Sequence, residues 1–570
     1  MLRLRPFALA LAAAFAAALP VHAQLPEPVT RVLQTTGITE DAVSVLVLRD
    51  GQTVLSHLAE RPMQPASTMK LVSTLVGLEV LGPVFRGRTE LRTSGELQGD
   101  TLKGDLVLRG GADVDLSGEA LENMLRSLRY QGIRKIQGRL VIDRQLFNPA
   151  RADLGVAPFD ESPEAYYNVI PDAAMVNKNM LQLDMRSTGK RLTLHMQPEL
   201  QGVTIGHDMK LVDADCKKWE DGWKLPEAVP QKNGGIKVML HGTFPKNCEQ
   251  SYAINVVDRQ EYVERLFRST WKRLGGTIAG SAVEGATPPD ARLLAEHVSR
   301  TLPEIVRDTN KPSDNLFARL IFLSLGALEA DPVLGSRPQA GSAELTLSRS
   351  DAVVRNWMRA HGIDDHGLVL ENGSGLSRTE RISAVQMAGL LQAGLRSPWA
   401  PEFQSSMPIV AVDGTMRRRL HGSPAAGRAR MKTGTLNNGV ALAGYVPDAS
   451  GKPLIVVAIV NSNLVGNGRG RAVLDTLIDW VARLGGPAQP LLLVPGQPVP
   501  SQPVPGPETT PQGVLATPPA QPAQPLQPAQ PQTQPQQQQQ PPQQGQDGMQ
   551  RQPVQPMQPV PSMQPAGGGR

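Results

Sequence analysis

Apolar positions along the chain switch between two periods, and the switches mark out its elements. Ala42 to Leu48 is apolar almost throughout, Asp50-Gly51 interrupts it, and Thr53 to His57 alternates. That predicts a strand, a hairpin turn and a returning strand. From Ser67 the spacing changes to about 3.6 residues, with Leu71, Val72, Leu75 and Val76 on one side, and predicts a helix. After Leu81-Gly82-Pro83 the strand period returns in Arg88–Leu97 and Thr101–Leu108, around Gly99-Asp100. Ser117 is placed to cap a helix carrying Leu121, Leu125 and Leu128 that stops at Gly132. Strands follow at Gly138–Phe147, Met180–Met185, Arg191–Met196, Ile236–Gly242 and Tyr252–Val257, and a helix at Asp258–Leu274. Helical spacing recurs at Leu316, Leu320 and Leu323. Gly427–Lys432, Val440–Val446 and Leu454–Val460 read as strands, and Ala472–Leu484 as an amphipathic closing helix.

Both ends depart from this pattern. Arg3 and Arg5 precede an apolar run from Phe7 to Leu19, and Val21-His22-Ala23 offers small residues at a cleavage position. The run is shorter than the roughly 20 residues needed to span a bilayer, so residues 1–23 read as a cleavable signal peptide and the expected location is the periplasm. Beyond Gly485-Gly486 the chain becomes Pro/Gln-rich, with Glu508, Asp547, Arg551 and Arg570 its only charges. Residues 487–570 therefore read as a disordered tail. The remainder is too long for one core, and the expected division is a catalytic domain from 24–86 and 290–486, interrupted by a mostly-β insertion at 87–289.

Charge and cysteine content narrow the partners. A net charge of +5 over 570 residues is mild, and no nucleic-acid motif accompanies it, so membrane contact should be peripheral at most. Cys216 and Cys248 suit one disulfide in an oxidising compartment. No C-x-x-C or H-E-x-x-H spacing is present, and neither a metal nor a cofactor is expected. Asp113, Asp115 and Asp143 read as solvated turn carboxylates, and Trp219 and Trp223 as local packing beside Cys216.

The chemistry is concentrated in three short motifs. Ser67-Thr68-Met69-Lys70 opens a helix, which puts the hydroxyl one turn from an amine on the same face. A serine attacks only when a base takes its proton, and a lysine held neutral at i+3 is within reach. Ser187/Lys190 and Ser269/Lys272 repeat the spacing, the first in a turn and the second late in a helix, and both read as surface residues. Ser313-Asp314-Asn315 stands at a helix entrance, where the hydroxyl can relay a proton and the carboxamide can bind a substrate amide. Lys432-Thr433-Gly434-Thr435 ends a strand. Lys432, Thr433 and Thr435 suit a terminal carboxylate, Gly434 permits close approach of a ligand, and the Ser67 and Thr435 N–H groups suit an oxyanion.

S-x-x-K, S-x-N and K-T-G in this order, on these elements, resemble the penicillin-binding serine DD-peptidases. The long interval from Lys70 to Ser313 is similar to that of the class C low-molecular-mass penicillin-binding proteins, the D-alanyl-D-alanine carboxypeptidase/endopeptidase family. Gly104–Leu108 with Gly110–Asp113, and Asn372-Gly373-Ser374-Gly375-Leu376-Ser377-Arg378, extend the likeness over about residues 30–486. Val114 and Asn372 depart from it, where proline and aspartate are usual. The resemblance implies an α/β (α+β) fold, an antiparallel sheet flanked by helices, and hydrolysis of D-Ala-D-Ala bonds in peptidoglycan peptides through an acyl-enzyme. It also implies cleavage of D-Ala cross-links and β-lactams as covalent inhibitors. Ser67, Lys70 and Ser313 are then catalytic, and Asn315, Lys432, Thr433 and Thr435 bind substrate. A serine β-lactamase shares the acylation parts but would need a glutamate motif, E-x-x-L-N, that the chain lacks. A non-catalytic peptidoglycan-binding protein would have no use for Ser67 and Lys70 together.

Overall fold

In the computed structural model the described residues are 24–485; the segments read as signal peptide and tail lie outside them. A five-stranded antiparallel sheet forms the centre, in the order Gln52–His57, Val43–Arg49, Pro453–Asn461, Gly439–Pro447, Arg430–Leu436. Strands from the two ends of the chain are thus neighbours, and Val43 pairs with Val460. Asp50 and Gly51, both at positive φ, make the predicted hairpin.

Alternation along the strands feeds two cores. Val43, Val45 and Val47 face the helices Glu27–Thr36 and Arg469–Arg483, meeting Val29, Leu33, Val473 and Leu477. Leu46, Ala443 and Val457 point the other way, towards Lys70–Val80 and Ala384–Arg396. Covering both faces explains why Pro453–Asn461 is apolar along nearly its whole length. The Lys70–Val80 helix is buried from Lys70 to Leu78, wrapped by Leu302–Asn310 and Asn315–Ala327.

The intervening region is a second set of sheets. One has the order Ala282–Glu284, Leu140–Asp143, Leu106–Gly111, Arg88–Thr93, Arg292–Val298. Its last strand pairs with Arg88–Thr93, so this sheet runs past residue 289, the expected edge of the insertion. The expected strand Arg88–Leu97 is broken: Arg88–Thr93 and Glu96–Gln98 belong to different sheets, as do Thr101–Lys103 and Leu106–Gly111. Gly95 makes the break possible, since a Cβ there would lie 2.7 Å from the Lys103 carbonyl oxygen. Gly138–Phe147 narrows to Leu140–Asp143, and Val203–His207 and Trp223–Pro230 add strands that their polar sequences did not announce.

Some side chains take the surroundings expected of them and others do not. Cys216 and Cys248 are bonded. Trp219 stacks edge-on against Trp223 and Tyr252 at 5.4 and 5.1 Å, which is local packing. Asp113 and Asp143 are not solvated but buried: Asp113 accepts from Thr89 and His297, and Asp143 from the Thr287 N–H and hydroxyl. Ser187 is likewise buried, its hydroxyl donating to the Pro245 carbonyl, because its strand is covered by neighbouring chain. Ser269 is half-buried and donates to the Glu199 carbonyl. Both hydroxyls are spent on backbone.

Candidate active site

Ser67 lies in a 3-10 turn, Ala66–Met69, that runs directly into the Lys70–Val80 helix. Two glycines hold this turn from opposite sides. A Cβ on Gly375 would come 1.8 Å from the Ala66 carbonyl oxygen, and one on Gly434 would come 2.6 Å from that of Pro65 and 3.0 Å from the Ser67 nitrogen. The close approach anticipated at Gly434 is therefore made by the serine turn itself. That contact puts Ser67 against the Arg430–Leu436 strand, at the edge of the central sheet.

Lys70 is fully buried, and its Nζ has three neighbours: Ser67 Oγ at 2.9 Å, Asn315 Oδ1 at 2.6 Å and the Ser374 carbonyl oxygen at 2.6 Å. The Asn315 amide is oriented by its own Nδ2, which donates to the Tyr167 carbonyl at 2.9 Å, so Oδ1 faces the lysine. Burial pushes the Lys70 pKa down to about 7, against the opposing fields of Asp314 and Glu380. At neutral pH a large share of this amine is uncharged. A neutral amine has two N–H bonds and one lone pair. Asn315 Oδ1 and Ser374 O can only accept, so they take the two N–H bonds. The lone pair is left for the one neighbour that carries a proton, the Ser67 hydroxyl.

Ser313 sits at positive φ in the loop between Leu302–Asn310 and Asn315–Ala327. The helix cap is its neighbour Asp314, whose Oδ1 accepts from the Phe317 N–H. Ser313 is thereby free of capping and accepts from Lys432 Nζ at 2.8 Å. Lys432 is also fully buried and donates to the Thr433 carbonyl at 2.9 Å. Its pKa is lowered by burial and by the neighbouring Lys70 charge. Its ammonium lies beneath the strand surface and not on it. Thr433 Oγ1 donates to Thr415 Oγ1 at 2.8 Å, and Thr435 is exposed.

The seven predicted site residues thus meet from three places: Ser67 and Lys70 on the serine turn and its helix, Ser313 and Asn315 at the entrance of Asn315–Ala327, and Lys432, Thr433 and Thr435 on the edge strand. Residues outside the three motifs also shape the site. Tyr166 donates to Asp314 Oδ2 at 2.6 Å and Tyr167 holds Asn315, so the insertion, which offered no catalytic signal, orients the S-x-N loop. Glu380 is fully buried and accepts the N–H groups of Glu371, Asn372, Gly373 and Gly375, shaping the loop whose Ser374 carbonyl meets Lys70. Asn372 closes that loop, its Oδ1 accepting from the Ser374 N–H and hydroxyl, its Nδ2 donating to the Leu376 carbonyl. The asparagine therefore keeps the loop bonded where an aspartate was expected. Only the loop's glycines and serines hinted at this; Glu380 had no signal at all.

Two serine–lysine pairs beside an edge strand, on an α/β body with a long insertion, define a penicillin-binding serine peptidase. The chain belongs to the D-Ala-D-Ala carboxypeptidase 3 (S13) family, whose family model matches residues 27–484. It is 29% identical over 463 residues to the D-alanyl-D-alanine carboxypeptidase of Actinomadura sp. (strain R39), spanning 78% of this chain and 82% of that one. It is 25% identical to the D-alanyl-D-alanine carboxypeptidase DacB of Haemophilus influenzae, over 77% of this chain and 88% of the relative. The fold is similar to the crystal structure of penicillin binding protein 4 from Haemophilus influenzae, with a TM-score of 0.66 at 22% identity, covering 80% of this chain and 99% of that one. The same protein has been solved complexed with a β-lactam, at a TM-score of 0.62.

Proposed function

We propose that the protein hydrolyses the terminal D-Ala-D-Ala bond of peptidoglycan stem peptides, and the D-Ala bond of peptide cross-links, through an acyl-enzyme on Ser67. The observation that carries this reading is the environment of the Lys70 amine, in which two obligate acceptors leave the Ser67 hydroxyl as the proton donor to its lone pair. Lys70 takes the Ser67 proton as Oγ attacks the D-Ala carbonyl. The resulting oxyanion is met by the N–H groups of Ser67 and Thr435; the close packing of the Ser67 turn on Gly434, the residue before Thr435, supports this. Collapse breaks the C–N bond, and the proton held by Lys70 passes by way of Ser313, next to Lys432, to the leaving amine, which returns Lys70 to its neutral form. Water then attacks the ester as Lys70 accepts its proton, and Lys70 passes that proton to Ser67 Oγ as the acyl C–O bond breaks.

Thr433 and Thr435 contact the substrate carboxylate, and Lys432 contributes its charge from beneath the strand. Asn315 binds the substrate amide besides fixing Lys70. Glu380 cannot serve as the water-activating glutamate of a β-lactamase, because its oxygens are taken by four backbone N–H groups. β-Lactams acylate the same serine in this scheme. Residues 1–23 direct export, and the enzyme works in the periplasm; the basic, apolar and small residues in that order support this.

The test is digestion of purified cross-linked peptidoglycan, followed by mass analysis. Loss of terminal D-alanine and conversion of dimers to monomers are expected. Release of neither would overturn the assignment.

A further inference from the structure

Arg319 is a buried cation held without a counter-ion. It lies one turn beyond Asn315 in the Asn315–Ala327 helix and is 8% exposed. Its Nη1 donates to the Asn168 and Val169 carbonyls at 3.3 and 2.9 Å. Its Nε and Nη2 have no hydrogen-bond partner among the described residues. Glu380 and Glu371 act on it through their fields only, from beyond contact. A lysine in such surroundings can shed its proton, but a guanidinium keeps its charge. A charge buried in this way is costly until an anion meets it.

Arg319 borders a cavity of about 510 Å³ between the insertion and the catalytic body. Val156, Ile170, Val257, Leu323 and Leu347 give it apolar walls. The other charged residues at its border are already engaged. Arg259 pairs with Asp153, Asp258 pairs with Arg151, and Glu371 accepts the hydroxyls of Ser377 and Thr379. None of the seven motif residues borders the cavity, so it is separate from the cleft of Ser67. A chamber of this volume, apolar along its walls and carrying one unanswered cation, suits a ligand of the same pattern: hydrocarbon with one anionic end.

We propose that this cavity binds a small aliphatic carboxylate, with the carboxylate on the Arg319 guanidinium and the hydrocarbon against Val257, Leu323 and Leu347. The planar fork of arginine matches the two oxygens of a carboxylate, and the apolar walls exclude the water that would screen the pair. The ligand lies behind the substrate cleft. Asn372, which closes the loop presenting the Ser374 carbonyl to Lys70, borders the same cavity from the other side of that loop's backbone bonds.

Octanoate is the probe, and octanamide is its uncharged match of equal length. Binding of each to the full chain is measured by titration calorimetry, and the amide-to-acid ratio of Kd is taken within each protein. A folding loss that only lowers the number of intact sites then cancels. The parent should bind octanoate about 10- to 100-fold more tightly than octanamide, as a charge-assisted contact out of water does. Arg319→Gln should bring the ratio close to one. Leu347→Trp narrows the cavity and leaves Arg319 in place; it should weaken both ligands about tenfold and keep the parental ratio. Absence of saturable octanoate binding by the parent would overturn the site, and so would equal affinity for acid and amide. An Arg319→Gln variant with the parental ratio would do the same. Should that variant fail to fold, Leu347→Trp decides alone: parental affinity for octanoate in it would place the probe elsewhere and end the proposal.

Discussion

Two clusters of buried cations in this protein are held in opposite ways. In the insertion, Arg144 and Arg259 converge on Asp172 at 3.2 and 3.0 Å, and Arg259 also meets Asp153 at 3.1 Å. Each guanidinium faces a carboxylate, and the pairs act as structural ties. At the active site, Lys70 and Lys432 are equally buried, yet the neighbours of their Nζ atoms are hydroxyls and carbonyls. Nothing in contact neutralises the ammonium, and burial drives both pKa values down. Burial alone therefore does not decide whether a cation is structural or reactive. The atom touching it decides, and a lysine, unlike an arginine, can give up its proton.

The largest effect should come from the Ser67 hydroxyl, the atom proposed to be acylated. Ser67→Ala should lower labelling by a fluorescent penicillin by about 10⁴-fold or more, while Ser187→Ala and Ser269→Ala label normally. Full labelling of the Ser67 variant would remove the reactive side of the comparison. Next comes the structural side. Asp172→Ala leaves Arg144 facing Asp172's vacated place with Gln260 at 2.7 Å, the Arg259 carbonyl at 3.4 Å and Glu284 at 3.6 Å, and should cost about 3–5 kcal/mol in denaturant unfolding. Penicillin acylation by the folded enzyme should persist. An unchanged unfolding midpoint would show that the insertion does not depend on this tie.

Lys432→Gln should then lower kcat/KM by about 10- to 200-fold on peptides with a free terminal carboxylate, and less on a thioester that lacks one. Equal losses on both would make Lys432 a support for Ser313 and not a source of charge for the substrate. The mildest test alters no residue. Because the Lys70 pKa is lowered to about 7, the reactive neutral amine is lost as pH falls through that value. Acylation should be level above it and fall about tenfold per pH unit below. A profile flat down to pH 5 would mean that Lys70 is not the base.

Sequence alone carried the catalytic pattern because its parts are local. S-x-x-K brings Ser67 and Lys70 together within one helical turn, a relation of four residues that no distant contact is needed to make. The hairpin at Asp50-Gly51, the Ser117 cap and the closing helix were legible for the same reason. The edges of the elements in the insertion were not, since Arg88–Leu97 divides between two sheets and Arg292–Val298 becomes a strand only by pairing with Arg88–Thr93. Nor could sequence show that Asp314 rather than Ser313 caps its helix, or that Tyr167, from a region with no catalytic signature, orients Asn315. The partners of Lys70 lie 245 and 304 positions along the chain from it. Spacing within a motif determined which atoms can react. Only the packing of distant segments decided which acceptors surround the amine and how deeply it is buried, and its proton affinity follows from those two quantities.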